Sequence, residues 1–94
     1  MIRTVRMTFQ KECVNDFLDI FHGSKEKIRN MPGCIHLELW EDLKKPNVFT
    51  TYSKWDSEEN LNNYRNSDVF GEVWPKTKAL FDKAPEAASY EVRG

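Results

Sequence analysis

The residues best able to do chemistry in this sequence are polar groups set among aromatics: Arg6, His36, Glu38, Tyr52, Trp55, Tyr64 and Trp74. Such a mixture suits a mostly apolar pocket in which a few hydrogen-bonding groups orient a flat aromatic ligand. His36 is a centrally placed histidine, a residue type suited to moving a proton, and Arg6 is a cation, so either could hold or generate an oxyanion. Each residue also has a plainer reading. Trp55 suits a core or interface position whose indole N–H meets a carbonyl, and Tyr64 and Trp74 fall on amphipathic helical stripes that would pack inward. His36 in mid-strand could be structural, and the Lys25-Glu26-Lys27 and Lys44-Lys45 clusters read as solvated faces or turns.

Other chemistries are poorly served. With only His22 and His36 available, no nucleophile, base and orienting group can be assembled, and neither His has a Cys or His companion at the spacing zinc uses. The four glycines, at 23, 33, 71 and 94, form no phosphate-binding loop. Cys13 and Cys34 lie in the apolar patterns CVNDFL and GCIHLEL, which suits free buried thiols better than a disulfide framework or a metal site. Charged residues make up 31% of the chain with both signs interspersed and a net charge of -1. That balance creates no field to draw in nucleic acid or an anionic membrane. The N-terminal MIRTVRMTFQKE holds no apolar run of signal-peptide length, and no stretch approaches the roughly 18 apolar residues of a membrane span. The expectation is a cytoplasmic protein with neither nucleic-acid nor membrane partners.

The elements that must position these groups follow from periodicity. Residues 2–9, IRTVRMTF, alternate Val5, Met7 and Phe9 against Ile2, Thr4, Arg6 and Thr8, which predicts a strand. From Glu12 the period becomes helical through Val14, Phe17, Leu18, Phe21 and Ile28, predicting a helix over residues 12–30. Met31-Pro32-Gly33 stops it. CIHLELWED then predicts a strand with Ile35, Leu37 and Leu39 on one face and Cys34, His36, Glu38 and Trp40 on the other. Residues 42–47, DLKKPN, read as a hairpin loop, and VFTTYSKW as an antiparallel strand with Phe49, Thr51, Ser53 and Trp55 on one face. Asp56 or Ser57 can cap one short helix and Ser67 a second, in which Pro75 predicts a kink or break. After KAPE, residues 88–93, ASYEVR, predict a last strand.

The order β-α-β-β-α-β is that of the ferredoxin-like α+β fold, a four-stranded antiparallel sheet with helices on one face, here filling a single domain over residues 1–94. The other face is left bare, with aromatic or aliphatic groups on it. The economical cover is a second copy of the chain, so a homodimer packed sheet on sheet is expected.

The runs PGCIHLELWED, NVFTTYSKW and WDSEENLNNYRNSDVF together resemble the antibiotic-biosynthesis monooxygenase superfamily over nearly the whole chain. The resemblance implies a dimeric α+β barrel. In cofactor-free members a deprotonated phenol or quinol gives an electron to dioxygen, and Trp55 matches the family's site tryptophan. Some members carry an Asn four residues before it, where this chain has Thr51. Haem-degrading members carry an axial His at the position of Trp74 and an Asn on the first strand, which this chain does not have. Quinol-type relatives carry His near the positions of Tyr64 and Val69. The leading expectation is therefore a cofactor-independent monooxygenase acting on a small aromatic or quinol compound and dioxygen. Trp55, His36 and Arg6 would be its catalytic groups, and Tyr64, Trp74 and Thr51 its substrate contacts. Next comes a non-catalytic dimeric binding module of the same fold, and third a haem-degrading enzyme.

Overall fold

The alternation along the first strand decides which side of the sheet becomes the core. In the computed structural model, which describes residues 1–94, strand β1 (Ile2–Thr8) turns Val5 and Met7 to the same side as Phe9 just beyond it. Phe9 is fully buried, with its ring centroid 4.1 Å from Phe17 and 5.3 Å from Phe81. A 3-10 turn at Lys11–Cys13 leads into helix α1 (Val14–Arg29), which lays Phe17, Phe21 and Ile28 on this cluster. The tighter turn takes the place of the first helical residues expected from periodicity, a common way for an α-helix to begin.

Strand β1 pairs antiparallel with β3 (Val48–Trp55) on one side and β4 (Glu86–Tyr90) on the other, and β3 pairs with β2 (Cys34–Glu41). The sheet order is β2-β3-β1-β4. Helices α1, α2 (Glu58–Arg65) and α3 (Asp68–Lys78) cover one face, which is the ferredoxin-like arrangement predicted. Both predicted caps form: Ser57 Oγ accepts from the Asn60 N–H at 3.1 Å, and Ser67 Oγ from the Phe70 N–H at 3.2 Å. Each satisfies a donor that the first helical turn leaves without an intrahelical partner.

Three local expectations are corrected. Ile35 does not join the apolar face of β2 but is 58% exposed, because the β2–β3 register shifts between Cys34 and His36. The extra residue of this bulge changes the phase of the alternation, so that Cys34 and Leu37 both pack on the core. Helix α3 runs unbroken past Pro75. Proline deprives only the Gly71 carbonyl of its ladder bond, and the flanking turns remain bonded, as in Ala79 N–H to Pro75 O at 3.1 Å. Strand β4 lies earlier than ASYEVR suggested: its pairing with β1 ends at Ile2 opposite Tyr90, which leaves residues 91–93 unpaired and Val92 exposed.

Gly33 fixes the join between helix and sheet. Its φ of +83° is left-handed, and a Cβ placed on it would lie 2.5 Å from both Asn60 Cβ and Asp56 Oδ1. Its carbonyl accepts the Asp56 N–H at 2.9 Å, tying the start of β2 to the turn after β3. Gly33→Ala is expected to cost at least about 1–3 kcal/mol from the backbone conformation alone. That corresponds to a melting temperature lower by roughly 5–10 °C or more, read by thermal circular dichroism.

Candidate functional site

The helices do not close fully onto the sheet. A cavity of about 290 Å³ lies between α1, α2 and α3 above and the four strands below. Its volume is near the lower end of the roughly 300–1,000 Å³ typical of small-ligand pockets. The strands contribute Arg3, Val5, Met7, Leu37, Thr51, Ser53, Trp55 and Ala87 to the floor, all placed there by the period-2 alternation. The helices contribute Phe17 and Phe21 from α1, Tyr64 and Arg65 from α2, and Phe70, Val73 and Trp74 from α3.

An aromatic wall runs along one side. Trp55 stacks on Tyr64 at 5.3 Å, Tyr64 on Phe70 at 5.3 Å, and Trp74 meets the edge of Phe70 at 5.5 Å. Trp55 is 1% exposed, and its indole N–H donates to Ser53 Oγ at 3.0 Å rather than to a carbonyl. Its backbone exchanges two bonds with Met1: the Trp55 N–H donates to the Met1 carbonyl at 2.9 Å and the Met1 amino group to the Trp55 carbonyl at 2.8 Å. The indole is thus held from the side chain and from the main chain.

Most hydroxyls in the wall have their protons committed. Ser24 Oγ donates to the Ile20 carbonyl at 2.7 Å, and Thr77 Oγ1 to that of Val73 at 2.9 Å. The groups able to carry charge in the lining are Arg3, Tyr64 and Arg65, with no Asp, Glu, His, Lys or Cys among them. Burial, with a contribution from Cys34, pushes the Tyr64 phenol from 10.0 up to about 12, so it stays protonated and is a donor at neutral pH. The cavity can stack a ring and favour negative charge, but no side chain in it accepts a proton near neutrality.

The sequence-derived candidates divide between the two faces of the sheet. Trp55, Tyr64, Trp74 and Thr51 all line the cavity. His36 and Arg6 do not, because each lies one residue out of phase with the buried positions of its strand. Arg6, opposite Thr50 on β3, sits on the bare face between Asp42 at 3.7 Å and Glu86 at 3.8 Å. The His36 Nε2 is 3.3 Å from Glu38, which also accepts the Trp40 indole N–H at 3.0 Å. Those two donors, Trp40 first, hold the Glu38 carboxyl below its usual range. The condition for His36 or Arg6 to hold a substrate oxyanion, that their faces look toward the helices, is not met.

Arg3 and Arg65 were not singled out from the sequence. Arg3 shares the parity of Val5 and Met7, so the strand pattern contained that signal, whereas nothing local to Arg65 at the end of α2 indicates a cavity position. No three His, Cys, Asp or Glu side chains converge as metal ligands.

A four-stranded antiparallel sheet with a ligand-sized cavity under its helices defines a ferredoxin-like α+β protein of the pocket-bearing kind. Within that class, residues 1–74 match the sequence model of the antibiotic biosynthesis monooxygenases, and the chain belongs to that family. No curated protein matches it in sequence. Among solved structures, a conserved protein from Methanosarcina mazei Go1 is similar at TM-score 0.92 and 27% identity, over 98% of this chain and 92% of that one. An antibiotic biosynthesis monooxygenase superimposes at TM-score 0.91 with 19% identity over the full length of both chains. A Mycobacterium tuberculosis protein does so at 0.85 with 13% identity, over 98% and 95%. At such identities the last two share the fold alone.

The raised phenol has a measurable consequence. An unfolded chain ionises Tyr64 near pH 10, the folded chain near 12, so stability from the neutral phenol is complete below pH 10 and drains as pH rises toward 12. Denaturant titrations across this window should show the parent losing up to a few kcal/mol more than Tyr64→Phe, at about 1.4 kcal/mol per pH unit. Parallel curves for the two would mean the phenol is not shielded.

Proposed function

We propose that the chain, acting as one domain in the cytoplasm, is a cofactor-independent monooxygenase that oxidises a small phenolic or quinol compound with dioxygen. The observation that carries this reading is the aromatic-walled cavity centred on Trp55, in a chain of this family. A ring slotted along Trp55, Tyr64 and Phe70, with Trp74 and Thr51 at its edges, would be held flat and away from bulk water. The deprotonated substrate passes an electron to dioxygen, and the two radicals join at a ring carbon as a peroxide. Loss of water leaves one oxygen atom on the substrate, now a ketone or quinone. The substrate supplies all four electrons that reduce dioxygen, so no external reductant is consumed. The protein's contribution is to favour the anion: Tyr64 donates a hydrogen bond, and the guanidiniums are the cations nearest the developing charge.

A second reading is a binding module without turnover, and the lack of a proton acceptor in the lining favours it. Haem degradation finds less support. His22 and His36 both lie outside the cavity, so the lining offers haem no histidine ligand.

Oxygen consumption with a panel of quinols and anthrone-type phenols is expected to show turnover. Trp55→Phe, checked for folding by circular dichroism, should lower kcat/KM by roughly ten- to a hundredfold through loosened substrate placement. Binding of the same compounds without oxygen uptake by any would instead establish the binding module.

We further infer a homodimer formed through the bare face of the sheet. Trp40 and Tyr52 stack there at 5.0 Å with Trp40 45% and Tyr90 54% exposed, and Arg6 and Lys54 intermingle with Glu38 and Glu86. Mixed charge around aromatics can match itself across a twofold axis. Sedimentation velocity should give a dimer at micromolar concentration, shifted toward monomer by Trp40→Glu. A parent that stays monomeric would exclude this interface.

A further inference from the structure

Two positive charges face an apolar hollow that contains no negative one. Arg3 rises from β1 into the cavity floor, and Arg65 reaches it from the last turn of α2. Neither has a carboxylate within ion-pair distance, although the chain carries 15 acidic residues and places five of them beside Arg6, Arg29, His36 and Lys76. Arg3 donates one N–H to Ser89 Oγ at 3.0 Å, which orients the guanidinium on β4 and leaves its other donors free. Its proton affinity is lowered by burial and then by the charge of Arg65, a repulsion that a bound anion would relieve.

The surroundings give the anion a direction. Arg65 is exposed, and with Phe70 and Trp74 it lines both the cavity and an outer depression formed with Asn62, Asn66 and Pro75. That end of the cavity therefore opens to solvent. Just inside the two guanidiniums the lining is dry and aromatic: Trp55, 1% exposed, is held to Ser53, which stands opposite Arg3 in the sheet, and stacks on Tyr64 next to Arg65. A ligand matching this gradient carries its ring inward and its charge outward. Guanidinium groups favour planar oxyanions, which they can bind through paired N–H donors.

We infer that the cavity selects aromatic carboxylates, with the carboxylate held by Arg3 and Arg65 and the ring against Trp55 and Tyr64. The inference deepens, and rests on, the reading of this cavity as the ligand site proposed above, and it requires no turnover. It adds a permanent charge on the substrate, distinct from the phenolate oxygen that forms during oxidation.

Isothermal titration at pH 7 with 1-naphthoate and its neutral counterpart 1-naphthamide tests it. The acid should bind roughly ten- to a hundredfold more tightly than the amide, as expected for charge-assisted hydrogen bonds, and the preference should weaken with salt. Arg65→Gln, a surface change that leaves the core untouched, should remove most of that preference, and Arg3→Gln the remainder. Arg6→Gln, on the other face, should leave it intact. Equal affinity for acid and amide, no binding of the acid, or a preference that survives both cavity substitutions would overturn the inference. Oxygen uptake with neutral quinols alongside equal binding would overturn it while leaving the monooxygenase reading in place. Acid preference without uptake from any phenol would do the reverse.

Discussion

Trp55 is the point at which the sheet, the helices and the cavity are made to agree. Its backbone closes β1 through Met1 and stands opposite Cys34 at the start of β2, while the next residue bonds to Gly33. Its ring supports Tyr64 and, through it, the junction of α2 with α3. A large flat side chain at a strand end props the short helices off the sheet, and the gap beside it is the cavity. Interiors normally close to near-crystalline density, so a hollow of this size persists only where rigid groups prevent collapse. Stacked aromatics at 5.3 Å and an indole pinned to Ser53 provide that rigidity.

The sheet separates two kinds of electrostatics. On its bare face opposite charges meet: Arg6 lies between Asp42 and Glu86, and His36 beside Glu38. These contacts are exposed, and pairs of that kind contribute little to stability. Under the helices the charges are few and of one sign, with Arg3 partly buried, where interactions are stronger, and Arg65 at the solvent-open rim. A chain with a net charge of -1 thus keeps a locally cationic interior by distributing its acidic groups elsewhere.

Strand alternation, the Ser57 and Ser67 caps and the stop at Gly33 made the architecture legible in the sequence, because each is a local rule obeyed locally. Trp55, Tyr64, Trp74 and Thr51 were legible as a group for the same reason, sharing the parity or stripe of the buried residues. The assignment of His36 and Arg6 failed on a non-local fact. Alternation says that Arg6 opposes Val5 and Met7, but only the packed helices decide that the Val5 side is the covered one. The bulge at Ile35 arises from cross-strand pairing with β3, which leaves no mark in the sequence of β2 alone. Arg65 entered the site through the packing of α2 against β3, again a non-local property.

A cavity without its own acid or base has an implication for descent. Where a mechanism depends on a fixed dyad, substitutions near it are constrained by the need to keep that geometry. Here the reactivity would belong to the occupant, and part of what stabilises the walls lies behind them: the caps at Ser57 and Ser67 and the glycine at 33 do not line the cavity. Val73, which lines the cavity and is only partly buried, can therefore vary in size without undoing the frame. A frame built this way can change what it accepts while its outline stays constant.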